Sequence, residues 1–324
     1  MHATTRERKS PFIHLNNTVK PGIICEPFWA VSYYIGCPYG CTYCYLQGTF
    51  RGKVEPVVYT NRQRLLGELE EWLARPGSQR LNAGELEDSL ALDGQIPLVD
   101  DLVPHFLAQS RHKLLLVTKS TNVKNLLKYD GNDRVIVAFS VNAPEVWSQY
   151  ELDTPHPLRR AEAARKVQEA GFSVVLRLDP MIPVPDWAQL YRDFIQQVAQ
   201  VVEPDQWTIG SLRFYPGVPF WAHRIGRDAS VFRAAPLERT TADGRWRIEL
   251  PVRAAMYEMA MSAISEAQPM ARIRLCKETL GLYQALEVKP EGCCYYGDAR
   301  LGVGQVEGDH AKDRELLCFQ EGVV

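Results

Sequence analysis

The sequence predicts an α/β protein: an open, partial (β/α)6 barrel of the TIM type with a C-terminal extension. Three observations predict it. Apolar, β-branched segments alternate with amphipathic helical segments from Phe28 to about Tyr215. A loop bearing Cys37, Cys41 and Cys44 follows the first of those strands directly. Beyond Tyr215 the alternation breaks. These features divide the 324 residues into an arm over 1–27, a barrel over 28–215 and an extension over 216–324.

The arm is polar and irregular in pattern. Phe28 to Ile35 is apolar, aromatic and β-branched and reads as the first strand, with Gly36 closing it. Thr60 to Gln63 has the spacing of a capping box. Leu65, Leu66, Leu69, Trp72 and Leu73 then share one helical face, which Pro76-Gly77 ends. Arg80 to Ala83 is the second strand, running into Gly84 and Glu85, and Val99 to Ser110 is a helix. Lys113 to Thr118 is the third strand, a short helix lies near 122–128, and Arg134 to Val141 is the fourth strand. Leu158, Ala161, Ala164, Val167 and Ala170 make the next helical face, stopped by Gly171. Ser173 to Leu178 is the fifth strand. Asp186 is placed to cap a helix whose stripe is Trp187, Leu190, Tyr191, Phe194, Ile195 and Val198. Gln206 to Phe214 is the sixth strand. Residues 215–235 read as a loop, 237–250 as a hairpin around Ala242-Asp-Gly244, Val252 to Ile264 as an amphipathic helix, and Arg272 to Cys276 as a possible added strand. The tail from about Lys289 is polar and glycine-rich.

A chain that is 46% hydrophobic and 23% charged has the profile of a soluble globular protein. No apolar run reaches membrane-spanning length, and the first ten residues lack the apolar core of a signal peptide, so the expectation is a cytoplasmic protein without a membrane partner. Cys25, Cys276, Cys293, Cys294 and Cys318 show no disulfide framework. A net charge of −2 does not announce a nucleic-acid binder, so any basic groove must be local. Arg159, Arg160, Arg165 and Lys166 read as the solvated face of their helix. Arg213, Arg224, Arg227 and Arg233 alternate with Phe214, Tyr215, Phe220 and Trp221 nearer the barrel mouth, a pattern that suits an extruded nucleotide or equally a lid.

The three cysteines stand at Cys-x3-Cys-x2-Cys spacing on a loop at the carboxyl end of a buried strand. A structural zinc site is closed by four protein ligands. In a [4Fe–4S] cluster each iron wants one external ligand, so three thiolates leave one iron open. A zinc knuckle with a distant fourth ligand and three ordinary buried cysteines are the competing readings of the same residues.

At this motif the sequence resembles the radical S-adenosylmethionine (SAM) superfamily. The resemblance implies a [4Fe–4S] cluster on Cys37, Cys41 and Cys44, SAM on the open iron, an adenosyl radical that abstracts hydrogen from a substrate, and an external electron donor of flavodoxin or ferredoxin type. Polar groups at successive strand ends then become candidates for holding SAM. Glu85, after Gly84, would accept from its amino group; Lys119 would neutralise its carboxylate; Ser140 and Asn142, two apart on an extended chain, would bond the ribose hydroxyls. Each alone is an ordinary strand-end or turn residue.

Cys41 to Leu46, Thr118-Lys119, Phe139 to Asn142, Arg159 to Lys166 with Ala170-Gly171, and Asp179 to Pro183 together resemble the spore photoproduct lyase family. The likeness covers roughly residues 28–215, more weakly through Cys276. It implies a DNA or nucleotide substrate, repair of a thymine photolesion, a catalytic cysteine that returns hydrogen, and a relay assisted by the residues matching Tyr43 and Tyr45. The sequence departs from the family at the donor: the second-strand stretch from Asn82 to Leu90 has no cysteine, and Glu85 stands where the thiol would be. An ionised carboxylate does not donate a hydrogen atom. Cys276, Cys293, Cys294, Tyr43 and Tyr45 are the alternative donors, with Cys276 leading. A small-molecule, peptide or RNA substrate, and a non-catalytic iron–sulfur protein for electron transfer or sensing, are the other functional expectations.

Overall fold

The computed structural model describes residues 3–17, 19–240 and 242–293. Cys294, Cys318 and most of the predicted tail lie outside the described residues. Eight strands form the central sheet: β1 (Ile13–Asn16), β2 (Phe28–Val31), β3 (Arg80–Asn82), β4 (Lys113–Thr118), β5 (Val135–Val141), β6 (Ser173–Met181), β7 (Gln206–Ser211) and β8 (Ile273–Leu275). Their spatial order runs in chain order from β1 to β8. β2 to β8 pair in parallel, and β1 pairs antiparallel with β2 at the edge.

The central strands β4, β5 and β6 are largely apolar on both faces because both are covered. Alternate residues point to opposite faces. Leu114, Leu116, Val135, Val137, Phe139, Val174 and Leu176 join the large outer core under the helices. Leu115, Ile136, Ala138 and Val175 form a separate inner cluster, with Val117 against it. Continuing the inner parity toward the carboxyl ends gives Lys119, Ser140, Arg177 and Asp179. The barrel is thus plugged by aliphatic side chains below and lined by polar ones at its mouth.

Helices α1 (Arg62–Leu73), α2 (Leu98–Leu107), α3 (Pro157–Glu169), α4 (Trp187–Ala199) and α5 (Leu250–Ala267) contribute to the outer layer. In α2, Leu102, Val103 and Phe106 are fully buried, each stabilising by roughly 1.5–3 kcal/mol relative to exposure. This is the partial barrel with an extension that the sequence predicts. No helix among the described residues is long and apolar enough to cross a membrane.

Several local expectations are corrected. The first strand ends at Val31; Tyr34–Ile35 leaves to pair with Val57–Tyr59 in another sheet. The capping box expected over Thr60 to Gln63 does not form: Asn61, not Thr60, stands at the N-cap of α1, and it makes no side-chain cap bond. Its amide accepts from Arg8 N at 2.9 Å and donates to Arg8 O at 2.9 Å, so a tertiary tie takes the atoms a cap would use. Asp186 is left-handed at φ 57° and makes no cap bond to α4. The sixth strand is broken: Arg213–Phe214 leaves the barrel sheet for Trp246–Ile248, which also pairs with Leu237–Arg239. The predicted 215–235 loop contains a helix, Val218–Arg224, and a 3-10 turn, Ala229–Arg233. Within the arm, Ile13–Asn16 adds an edge strand to the barrel sheet. Ile23–Ile24 pairs antiparallel with Glu278–Thr279, joining segments that flank the two ends of the sheet. Arg160, read as solvated, is fully buried.

Candidate active site

The turn into the cysteine loop requires glycine. Gly36 has φ +86°, and a Cβ there would lie 2.4 Å from Glu55 O. Cys37 N then donates to Val54 O at 2.8 Å. Gly40–Cys41 pairs antiparallel with Glu151–Leu152, and Thr42 N donates to Tyr150 O at 2.8 Å. The buried Gln47 amide holds the loop from inside, donating to Cys41 O at 3.0 Å and Thr42 O at 2.6 Å.

Cys37, Cys41 and Cys44 line one concavity, together with Tyr39, Gln47 and Arg227. Burial pushes all three thiols up, Cys41 to about 12 even though Lys119 pulls it down. Among the described residues no three His, Cys, Asp or Glu side chains converge at metal-binding spacing. The donor set nevertheless fits an iron–sulfur cluster: three soft sulfurs facing a single concavity, which would have to lose their protons on binding.

A residue the sequence reading passed over anchors this region. Glu151 is fully buried beside Cys41 in the strand pair. Its Oε2 lies 2.6 Å from Arg160 Nη1 and its Oε1 3.3 Å from Lys119 Nζ. The Tyr43 hydroxyl donates to it, and Asn142 Nδ2 lies 3.3 Å away. Burial alone would raise this carboxyl, but Lys119 and Arg160 outweigh it and hold it at about 2. Lys119, Tyr43 and Asn142, all candidates from the sequence, thus meet at one carboxylate. Lys119 Nζ also stands 5.7 Å from the Tyr43 ring centroid. Asn142 is committed to protein partners, donating to Pro180 O at 2.9 Å and accepting from the Tyr191 hydroxyl at 2.9 Å. Ser140 precedes it by two, and its carbonyl accepts from Arg160 at 3.0 Å.

Glu85 lies in a second group. Its carboxylate accepts from Asn16 Nδ2 at 3.0 Å, and its carbonyl accepts from the Tyr45 hydroxyl. Although burial lowers the Lys277 ammonium, Glu85 and Cys25 bring it above its ordinary value. Tyr45 and Glu85 are therefore together, apart from the Glu151 group.

Cys276 occupies a third group, just past β8. Its buried sulfur accepts from Arg177 Nη2 and Arg213 Nη2, each at 3.2 Å. Asp179 bridges both guanidiniums, with contacts at 2.9 Å to each. Arg213, placed by the sequence among candidate substrate contacts, is instead turned onto Asp179, whereas Arg224 and Arg233 are exposed and Arg227 borders the cysteine loop. Arg177 and Asp179 interrupt an apolar strand at alternate positions, a signal available in the sequence. Glu151, on a short segment after a helix, carries no comparable signal.

A family model described as Spore photoproduct lyase matches residues 17–215. The spore photoproduct lyase of Bacillus subtilis (strain 168) is 28% identical over 179 residues, 55% of this chain and 52% of the relative. That of a Geobacillus species is 28% identical over 177 residues, 54% of this chain and 52% of the relative. The chain therefore spans about half the length of the curated relatives it matches. Among solved structures, spore photoproduct lyase complexed with dinucleoside spore photoproduct superposes with a TM-score of 0.69 at 20% identity, covering 83% of this chain and 80% of that one. A variant with bound AdoMet and dinucleoside spore photoproduct gives 0.68 at 21% identity, with the same coverage. These likenesses are of fold. The matched segment contains the cysteine loop and strands β2 to β7, and the chain belongs to the spore photoproduct lyase family of radical SAM proteins.

Proposed function

We propose that this protein is a radical SAM enzyme that acts on a nucleic acid or nucleobase, in the manner of photolesion repair. The observation that carries the reading is the loop of Cys37, Cys41 and Cys44, which lines one concavity at the barrel mouth in a chain of this family. These three sulfurs would hold a [4Fe–4S] cluster. When bound, cluster and SAM supply one-electron cleavage of SAM and hydrogen-atom abstraction.

The chain's own residues have distinct tasks in this reading. Lys119 keeps two N–H donors after meeting Glu151 and can take the SAM carboxylate with them. Glu85 accepts from the SAM ammonium, and Ser140 faces the ribose. Asn142, whose amide already serves Pro180 and Tyr191, would shape the ribose side of the pocket chiefly by holding the strand end. Tyr43 and Tyr45 border the cysteine loop as relay residues. Cys276 replaces the thiol missing between Asn82 and Leu90 as the source of the returned hydrogen. That missing thiol is also the reason for a second reading, in which the substrate is a small molecule, a peptide or RNA.

The test is anaerobic reconstitution with iron and sulfide, dithionite reduction, and assay of 5′-deoxyadenosine from SAM. Production of 5′-deoxyadenosine, lost in Cys41→Ala together with the cluster absorbance, supports the reading. A fully loaded, reduced sample that leaves SAM intact overturns it. Deuterium appearing in 5′-deoxyadenosine from a labelled thymine-dimer dinucleotide selects the first substrate reading; transfer only from other labelled classes selects the second.

A further inference from the structure

β8 and the chain near residue 292 run side by side, and Leu275 and Gly292 form a parallel bridge. The next residues on the two chains are Cys276 and Cys293. Adjacent strands lie about 4.8 Å apart, inside the Cα separation a disulfide accepts, roughly 4.4–6.8 Å. Residues paired in parallel register also send their side chains to the same face. The register is held from several sides: Cys276 N donates to Ile209 O at 2.8 Å, Gln206 Nε2 donates to Cys293 O at 2.9 Å, and the Tyr283 hydroxyl donates to Glu291 O at 3.0 Å. Both thiols are buried, and the Cys293 side chain is near enough to Cys276 to act on its titration.

The surroundings treat the two sulfurs unequally. Two guanidiniums aim an N–H at Cys276 Sγ, each at 3.2 Å. Asp179 fixes their orientation by taking Arg177 Nη2 at 2.9 Å and Arg213 Nη1 and Nη2 at 2.9 and 3.1 Å. Gly210 leaves the room this carboxylate occupies: a Cβ there would lie 2.4 Å from Asp179 Oδ1. Two cations against one anion favour negative charge on Cys276. The hydrogen bond from Cys293, followed by these guanidiniums against burial and Asp179, brings the Cys276 thiol down to about 7.

We propose that Cys276 and Cys293 form a redox-active dithiol, Cys276 the attacking thiolate and Cys293 the resolving thiol, whose oxidant is a low-molecular-weight disulfide. The Cys276 thiolate attacks one sulfur of the small disulfide, forms a mixed disulfide and expels one thiolate. Cys293 gives up its proton and attacks Cys276 Sγ; the Cys276–Cys293 bond forms and the second small thiolate leaves. The dithiol is oxidised by two electrons and the reagent is reduced to two thiols, one of which takes the Cys293 proton. The low exposure of both sulfurs selects a small reagent over a protein disulfide. The hydrogen return proposed above uses Cys276 as its thiol and the dithiol step uses it as its thiolate; the dithiol step needs neither SAM nor a radical.

The experiment uses the full chain, as purified and after iron–sulfur reconstitution, equilibrated across ratios of reduced to oxidised glutathione, trapped by alkylation and mapped by mass spectrometry. The expected result is a linked peptide pair, two hydrogens lighter, joining Cys276 to Cys293 and titrating as a single two-electron step. Cys293→Ser should replace the bridge with glutathione on Cys276, and Cys294→Ser should retain the bridge. Arg213→Gln should slow iodoacetamide modification of Cys276 at pH 7 several-fold. The wild-type map stands without any variant. If Cys276 stays reduced at every ratio, or if it bridges to Cys294 or Cys25 instead, the proposal is overturned. Because the readout is one peptide pair, its failure is distinct from a failure to cleave SAM.

Discussion

Two carboxylates, Glu151 and Asp179, sit where water would normally be needed to keep them charged, and each is surrounded by a pair of cations. Burial raises the Asp179 carboxyl, but Arg213 and Arg177 outweigh it and hold it below the usual carboxylate range. An unfolded aspartate titrates at about 3.9. The unfolded chain therefore takes up this proton more readily, so the stabilisation is full above about pH 4 and is lost as pH falls toward the folded value. We expect the thermal midpoint of the wild type to fall more steeply between pH 5 and pH 3 than that of Asp179→Asn, measured by circular dichroism. Glu151→Gln leaves Lys119 and Arg160 facing a neutral group. It should cost roughly 3–5 kcal/mol in urea unfolding, the usual loss on breaking a buried pair. The placement of the cysteine loop, Lys119 and Ser140 at strand ends was legible because each directly follows or closes a strongly patterned strand. Glu151 and Arg160 were not, because only the tertiary pairing of Gly40–Cys41 with Glu151–Leu152 brings that segment under the loop. A helical wheel puts Arg160 on the polar side of α3, yet the Thr154-Pro155 turn folds back over it, with Arg160 Nε donating to Pro155 O at 2.7 Å.

Among the elements, the cysteine loop depends most on a single backbone angle. Gly36→Ala meets a left-handed φ and the Glu55 carbonyl at 2.4 Å together, a strain of roughly 1–3 kcal/mol or more. The cheapest relief is to shift the chain entering Cys37. Iron bound per chain after reconstitution should therefore fall well below wild type, while far-ultraviolet circular dichroism changes little; full iron loading would count against this account of the turn. β4 coincides with its sequence boundaries, and α3 begins and ends within a residue of its apolar face, because parallel strands buried on both sides and a regular helical stripe leave strong patterns. Caps were less legible. Thr60 and Asp186 are good capping residues by type, but α1 starts one residue later, after an Asn61 that Arg8 engages, and the backbone turns Asp186 left-handed. The break at Leu212 was hidden as well, since Leu212 and Phe214 keep the alternating apolar pattern going and only the partner strand changes.

At the scale of the molecule, the N-terminal arm is part of the fold. Phe12 is 1% exposed, packs edge-on against Tyr59 at 5.7 Å, and has its N–H held by Glu68 at 2.6 Å. Phe12→Ala should cost about 3–5 kcal/mol, read as a lower urea midpoint with an unchanged slope. No residue pattern hints at this, because β1 is short and half-polar and its register is supplied by β2. The pairing of Ile23–Ile24 with Glu278–Thr279 carries a further consequence for biosynthesis. On the ribosome the early segment must wait for its mate until residue 279 has cleared the exit tunnel, so the seam stays unfinished while all the intervening barrel strands are made.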